Sequence, residues 1–214
     1  YGYHKYDKLR SSQILWYGVS GSIINGKFEP SPSFQGLIHF LKNISEAPSL
    51  VGKFSVATLI LCTNLDIHAL NYLKNYSNPF SAIKSVAWSL DEVKSQLSNA
   101  GSILLTYSDD LFSQAKSPNR VHLALLSGLP FLTVNPPTSV SNFLNQKCFE
   151  HTAIFQYHTS HRSLKPVHDY FAALQKQEPV TKYDHMKALS FFSDSRAEIL
   201  SLWREHISSL FRCN

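Results

Sequence analysis

The segment Phe54–Cys62 (FSVATLILC) constrains the fold more than any other part of the chain. It is almost continuously apolar, so it has no polar face to give to water. A strand of this character must be covered on both sides, as the inner strands of a parallel sheet are. Five further short apolar runs predict strands: Gln13–Tyr17 (QILWY), Ile83–Trp88 (IKSVAW), Ser102–Tyr107 (SILLTY), Pro130–Val134 (PFLTV) and Ala153–Tyr157 (AIFQY).

Helical patterns separate most of these runs. From Ser33, apolar Leu37, Phe40, Leu41 and Ile44 recur at three- and four-residue steps, and Pro48 is expected to end that helix. Leu65–Tyr72 reads as helical. Ser89 followed by Glu92 is a capping-box signature for a helix that buries Val93 and Leu97 and stops near Gly101. Ser117 and Pro118 open another, which runs through Leu126 to Gly128. Beyond Ser160 two apolar stripes are expected on helices: Leu164, Val167, Tyr170, Phe171 and Leu174, then Ile199, Leu200, Trp203, Ile207 and Leu210. The stretch around Gly18, Gly21, Asn25, Gly26, Pro30 and Pro32 reads as a loop. The fold expected is α/β: a Rossmann-like, mainly parallel sheet of about six strands, helices on both faces and a helical C-terminal cap.

At 214 residues and 24.2 kDa the chain suits one domain, with residues 1–12 as a lead-in and 13–214 as the body. Hydrophobic residues at 43% exclude a disordered chain. A net charge of +5 is compatible with a phosphate-bearing ligand but too small and scattered to indicate nucleic acid. Cys62, Cys148 and Cys213 fit neither a disulfide framework nor a zinc pattern, so a cytoplasmic protein is expected. Val121–Gln146 lacks charge, but Gly128, Pro130, Asn135, Pro136 and Pro137 break it, so no transmembrane segment is expected. The chain begins at Tyr1, consistent with a missing N-terminal part. The ten histidines show no metal spacing, and His158 and His161 read as a solvated or structural pair. Trp16, Trp88 and Trp203 are expected in the core. With no G-x-S-x-G elbow, no nucleophilic triad is argued and no catalytic residue is assigned.

In a sheet of this kind the ligand crevice lies outside the C-terminal strand ends. The loop after the first strand carries Gly18, Ser20, Gly21 and Ser22, whose glycines permit close approach and whose amides suit phosphate. The loop after the fourth carries Asp109 and Asp110 and leads into Lys116-Ser117-Pro118-Asn119-Arg120. Cations at a helix start oppose the usual preference for acidic residues there, which makes sense if Lys116 and Arg120 bind an anion.

Two stretches then carry a resemblance: AWSLDEVKSQLSNAGSILLTYSDD and KSPNRVHLALLSGLPFLTVNPP. With the opening ILWYGVSG and FSVATLILCTN, they resemble the nucleotide-sugar-binding half of GT-B glycosyltransferases, over residues 13 to 145. The shared elements are a helix leading into a strand, a basic helix-opening motif and a Gly-x-Pro, here Gly128-Leu129-Pro130. The resemblance implies that Lys116 and Arg120 face the donor diphosphate and that Asn119 supports this loop. It also implies that Gly18 and Gly21 leave room for donor or acceptor. Many retaining members hold the donor ribose with a glutamate five residues before that glycine. Leu123 stands there, so the clamp is absent or replaced, with Asp109 or Asp110 as substitutes. The family uses two such domains, so the resemblance implies that this chain is the C-terminal half of a longer protein, with an acceptor-binding domain expected on its N-terminal side. Two classes follow: glycosyl transfer from a nucleotide diphosphate sugar without a metal or other cofactor, or a non-catalytic sugar-nucleotide binding or assembly domain. A nucleotide-sugar epimerase is the lesser alternative.

Overall fold

The computed structural model describes residues 12–114, 119–145, 153–160 and 163–176. The chain runs β1 (Gln13–Gly18), β2 (Gly21–Ile24), β3 (Lys27–Pro30), α1 (Pro32–Ser45), α2 (Pro48–Phe54), β4 (Thr58–Thr63), α3 (Asp66–Leu73), β5 (Ala82–Ala87) and α4 (Leu90–Asn99). It continues through β6 (Ser102–Thr106), α5 (Leu111–Gln114), α6 (Asn119–Ser127), β7 (Phe131–Val134), α7 (Thr138–Leu144), β8 (Ile154–Tyr157) and α8 (Lys165–Lys176). Six strands form one sheet in the order β5-β4-β1-β6-β7-β8. Every pairing in it is parallel.

Side chains alternate across a strand, so a strand buried on both faces feeds two cores. On one face Ile14, Trp16, Leu59, Leu61, Leu104 and Leu132 pack with α1, α2, α3 and α8 residues. On the other, Leu15, Tyr17, Ile60, Cys62, Ile103, Leu105 and Phe131 pack with α4, α6 and α7. Each large apolar side chain sealed in this way contributes about 1.5–3 kcal/mol.

Local chemistry sets the helix positions. Ser31 accepts from the Phe34 N–H at 3.3 Å, and Pro32 stands at the first helical position of α1. Ser89 accepts from the Glu92 N–H at 3.0 Å, as expected, but the Glu92 carboxylate takes the Gln96 amide at 2.7 Å. Gly128, at φ 66°, closes α6 in the left-handed region. The first C-terminal stripe is α8, with Val167, Tyr170, Phe171 and Leu174 buried. The second, Ile199 to Leu210, lies outside the described residues, as does Trp203.

Three local expectations are corrected. The stretch read as a loop after β1 contains the antiparallel hairpin β2–β3, turned by Asn25 and Gly26 at φ 51° and 74°. Pro48 begins α2 instead of only stopping α1, and Phe54 is the last residue of α2, so β4 starts four positions later at Thr58. Trp88 is 55% exposed, one residue past the end of edge strand β5, and is not core. Trp16 is fully buried, with its Nε1–H donating to Thr106 Oγ1 at 2.8 Å.

Candidate functional site

The strand order reverses beside β1. From β1 the chain steps outward to β4 and β5, then returns to the other flank of β1 at β6 and steps outward to β7 and β8. The switch point therefore lies between the carboxyl ends of β1 and β6, where open α/β sheets bind ligands.

Arg120, in the first turn of α6, lies across this point. Its Nη2 donates to the Thr106 carbonyl at the end of β6 at 2.8 Å and to Ser33 Oγ of α1 at 3.3 Å. Its Nη1 donates to the Tyr17 carbonyl of β1 at 3.3 Å. The Tyr17 hydroxyl returns the contact by donating to the Arg120 carbonyl at 2.6 Å. Beneath the guanidinium lies the Tyr107 ring, 4.7 Å from its centroid to Cζ. Three donated bonds leave part of the guanidinium's five-donor fork for a ligand.

No carboxylate neutralises this half-buried cation among the described residues, where the ion pairs are Lys94–Asp91 and Lys165–Asp169. Burial pushes the Tyr17 and Tyr107 phenols up against the downward pull of Arg120. Both rings therefore stay neutral near pH 7 and supply no countercharge. Tyr107 is 1% exposed, and its hydroxyl has no hydrogen-bond partner among the described residues. A positive charge held by carbonyl dipoles and an aromatic face, at a strand-end crevice, is suited to receive an anion.

The loop after β1 lies beside the guanidinium. At Gly18 an added Cβ would meet Arg120 Nη1 at 3.0 Å, so glycine lets the guanidinium sit against this backbone. Ser20 is buried and bonded to Asn64 Oδ1 through its N–H at 2.9 Å and its hydroxyl at 3.2 Å. At Gly21 a Cβ would fall 2.2 Å from the Glu29 carbonyl, so hairpin closure requires this glycine. Ser22 is exposed on β2. Past β6, Asp109 is exposed, while Asp110 accepts from the Ser113 N–H at 2.9 Å and from the Ser108 hydroxyl. Lys116, Ser117 and Pro118 lie outside the described residues; Asn119 begins α6. Leu123 packs against the core.

Several groups around the crevice carry no sequence motif. Thr63, Asn64, Tyr17, Thr106 and Tyr107 act through contacts between distant strand ends. Asn135, at φ 49°, similarly ties β7 to the end of β8 by accepting the Thr159 N–H at 2.8 Å. His158 follows β8, and His161 lies outside the described residues. Among the described residues, no group of three or more His, Cys, Asp or Glu gathers as a metal site. None of their helices is long and apolar enough to cross a membrane.

No family model matches the chain, and no curated protein is detectably similar in sequence. Among solved structures the chain is similar to TarM, with a TM-score of 0.54 and 9% identity over 93% of this chain and 36% of that one. It also aligns with the pneumococcal O-GlcNAc transferase GtfA in complex with UDP and GlcNAc, at a TM-score of 0.45 and 14% identity, over 95% of this chain and 38% of that one. The chain thus spans under two-fifths of the structures it matches. The likeness to TarM supports the Rossmann-like fold.

Proposed function

We propose that the chain is the donor-binding half of a glycosyltransferase that moves a sugar from a nucleotide diphosphate sugar to an acceptor. One observation carries this reading: the Arg120 guanidinium crosses the switch point without a carboxylate partner among the described residues. As the sugar bond breaks, the diphosphate leaving group gains negative charge, and a fixed cation stabilises that charge more than the ground state. Lys116, four residues earlier in the sequence, is proposed as the second cation, with Asn119 in a supporting role. These cations replace a metal ion in the scheme. Gly18 admits the donor beside Arg120. Asp109, exposed three residues past the end of β6, is the proposed substitute for the ribose clamp, since Asp110 is held by Ser108 and Ser113. An acceptor-binding domain is proposed in a further part of the protein, in keeping with the 36% of TarM that this chain covers.

A second reading, a sugar-nucleotide binding or assembly domain without turnover, is favoured by apolar Leu123 in the clamp position. Calorimetric titration of the folded chain with ADP, GDP, UDP, CDP and their diphosphate sugars tests the binding both readings share. At least one nucleoside diphosphate is expected to bind, and Arg120→Lys is expected to weaken it about tenfold, about 1.4 kcal/mol. Binding of none of them by the wild-type chain would count against both. Sugar transfer by the complete protein separates the first reading from the second.

A further inference from the structure

We propose that Asn64 is the positioning residue of this crevice, holding the Gly18–Gly21 loop in the one register that sets it against Arg120. The inference rests on the diphosphate reading for its consequence, but not for its geometry. Only Val19 and Ser20 separate β1 from β2, and their polar groups are fastened from two sides. On the β4 side, Thr63 Oγ1 donates to the Gly18 carbonyl at 2.6 Å. Asn64 Oδ1 accepts the Ser20 N–H at 2.9 Å and the Ser20 hydroxyl at 3.2 Å, and Asn64 Nδ2 donates to the Gly21 carbonyl at 2.9 Å. On the α1 side, Ser31 donates its N–H to the Ser20 carbonyl at 2.8 Å and its hydroxyl to the Val19 carbonyl.

The chemistry selects this side chain. Bracing an N–H and a carbonyl one residue apart needs an acceptor and a donor on one short planar group, which an amide supplies and a carboxylate does not. Asn64 itself is exposed, so it acts by bonding and not by filling the core. Through Gly18, whose Cβ position is 3.0 Å from Arg120 Nη1, a shifted loop displaces the guanidinium. A loop fixed beforehand carries no ordering cost when the anion arrives.

The test compares wild type, Asn64→Ala and Asn64→Asp by amide hydrogen exchange without ligand and by titration with inorganic pyrophosphate and the four nucleoside diphosphates. In Asn64→Ala the Ser20 amide is expected to exchange at least about tenfold faster and diphosphate affinity to fall about fivefold, with the thermal midpoint little changed at this exposed position. Asn64→Asp keeps an acceptor for Ser20 and adds negative charge. Its Ser20 amide is expected to stay protected while the added charge lowers diphosphate affinity below that of the alanine variant. An unchanged Ser20 exchange rate in Asn64→Ala overturns the proposal whether or not any ligand binds. Faster exchange with unchanged diphosphate affinity overturns it as well. If wild type binds no diphosphate while Asn64→Ala loses Ser20 protection, the loop bracing stands and the diphosphate reading falls.

Discussion

Replacing Arg120 with alanine should weaken the fold and the anion site together. The bond from Nη2 to the Thr106 carbonyl, at 2.8 Å, is a charged hydrogen bond worth about 1.5–3 kcal/mol. Those to Tyr17 and Ser33, at 3.3 Å, add little, and the guanidinium 4.7 Å above Tyr107 adds about 0.5–1 kcal/mol. Water entering the crevice rehydrates the abandoned carbonyls, so the lower end applies and the expected loss of stability is about 2 kcal/mol. At this chain length that lowers the thermal midpoint by about 4–8 °C. Loss of the phosphate contact costs a further 2 kcal/mol or so in binding, roughly 30-fold in affinity. Urea unfolding followed by circular dichroism measures the first effect and calorimetric titration the second. Diphosphate at about 100 times its dissociation constant should raise wild-type stability by about 2.7 kcal/mol and raise that of Arg120→Ala far less. Arg120→Lys, which keeps the charge but loses the planar fork, should fall between them. An Arg120→Ala protein with the wild-type urea midpoint would refute the strand-bridging role.

Three further outcomes are expected. Gly36→Ala places a Cβ 2.3 Å from the Tyr107 carbonyl, so α1 must back away from β6, at a cost of about 1–3 kcal/mol in urea unfolding; an unchanged midpoint would contradict this seating of α1. Trp88→Ala should alter stability by no more than about 0.5 kcal/mol, and a loss above about 2 kcal/mol would return this ring to the core. Burial, with the Glu92 charge beside it, pushes the Cys62 thiol up to about 11 from its ordinary 9.0. The unfolded thiol ionises first, so the contribution is intact below pH 9 and is lost as pH rises towards 11. Burial raises Tyr17 and Tyr170 as well, which steepens the same alkaline fall. Stability measured from pH 8 to 11 should decline, less steeply in Cys62→Ala, and a flat wild-type profile would contradict this.

The inner strands β4, β1, β6 and β7 are legible because each is apolar and largely buried, and an apolar run survives any error in its ends; edge strands β5 and β8 are only partly covered. The hairpin was obscured by competing signals. Asn25-Gly26 is a hairpin turn signature, but Pro30, Pro32 and the polar residues between them point to a loop. Pro48 carries two meanings, terminator of one helix and first residue of the next, and only the packing of Leu50 and Phe54 decides between them. In the sequence Phe54 reads as part of the strand, because burial in a helix and burial in a strand leave the same apolar letter. Trp88 lies just past a strand end, where alternation no longer sets the side chain's face. At the crevice, residue types pointed to Arg120, and the fold brings the start of α6 to the end of β1. Its bonds to Tyr17 and Ser33 join positions 103 and 87 residues apart, beyond any local pattern. Asn64 carries no motif, since its function depends on β4 ending beside β1.

The most direct test of the account is a crystal structure of the chain with its tightest-binding nucleoside diphosphate. The account predicts the diphosphate at the carboxyl ends of β1 and β6, with a phosphate oxygen within about 3 Å of an Arg120 guanidinium nitrogen and Gly18 alongside it. A diphosphate bound elsewhere, with the Arg120 fork left to Thr106, Ser33 and Tyr17 alone, would contradict it.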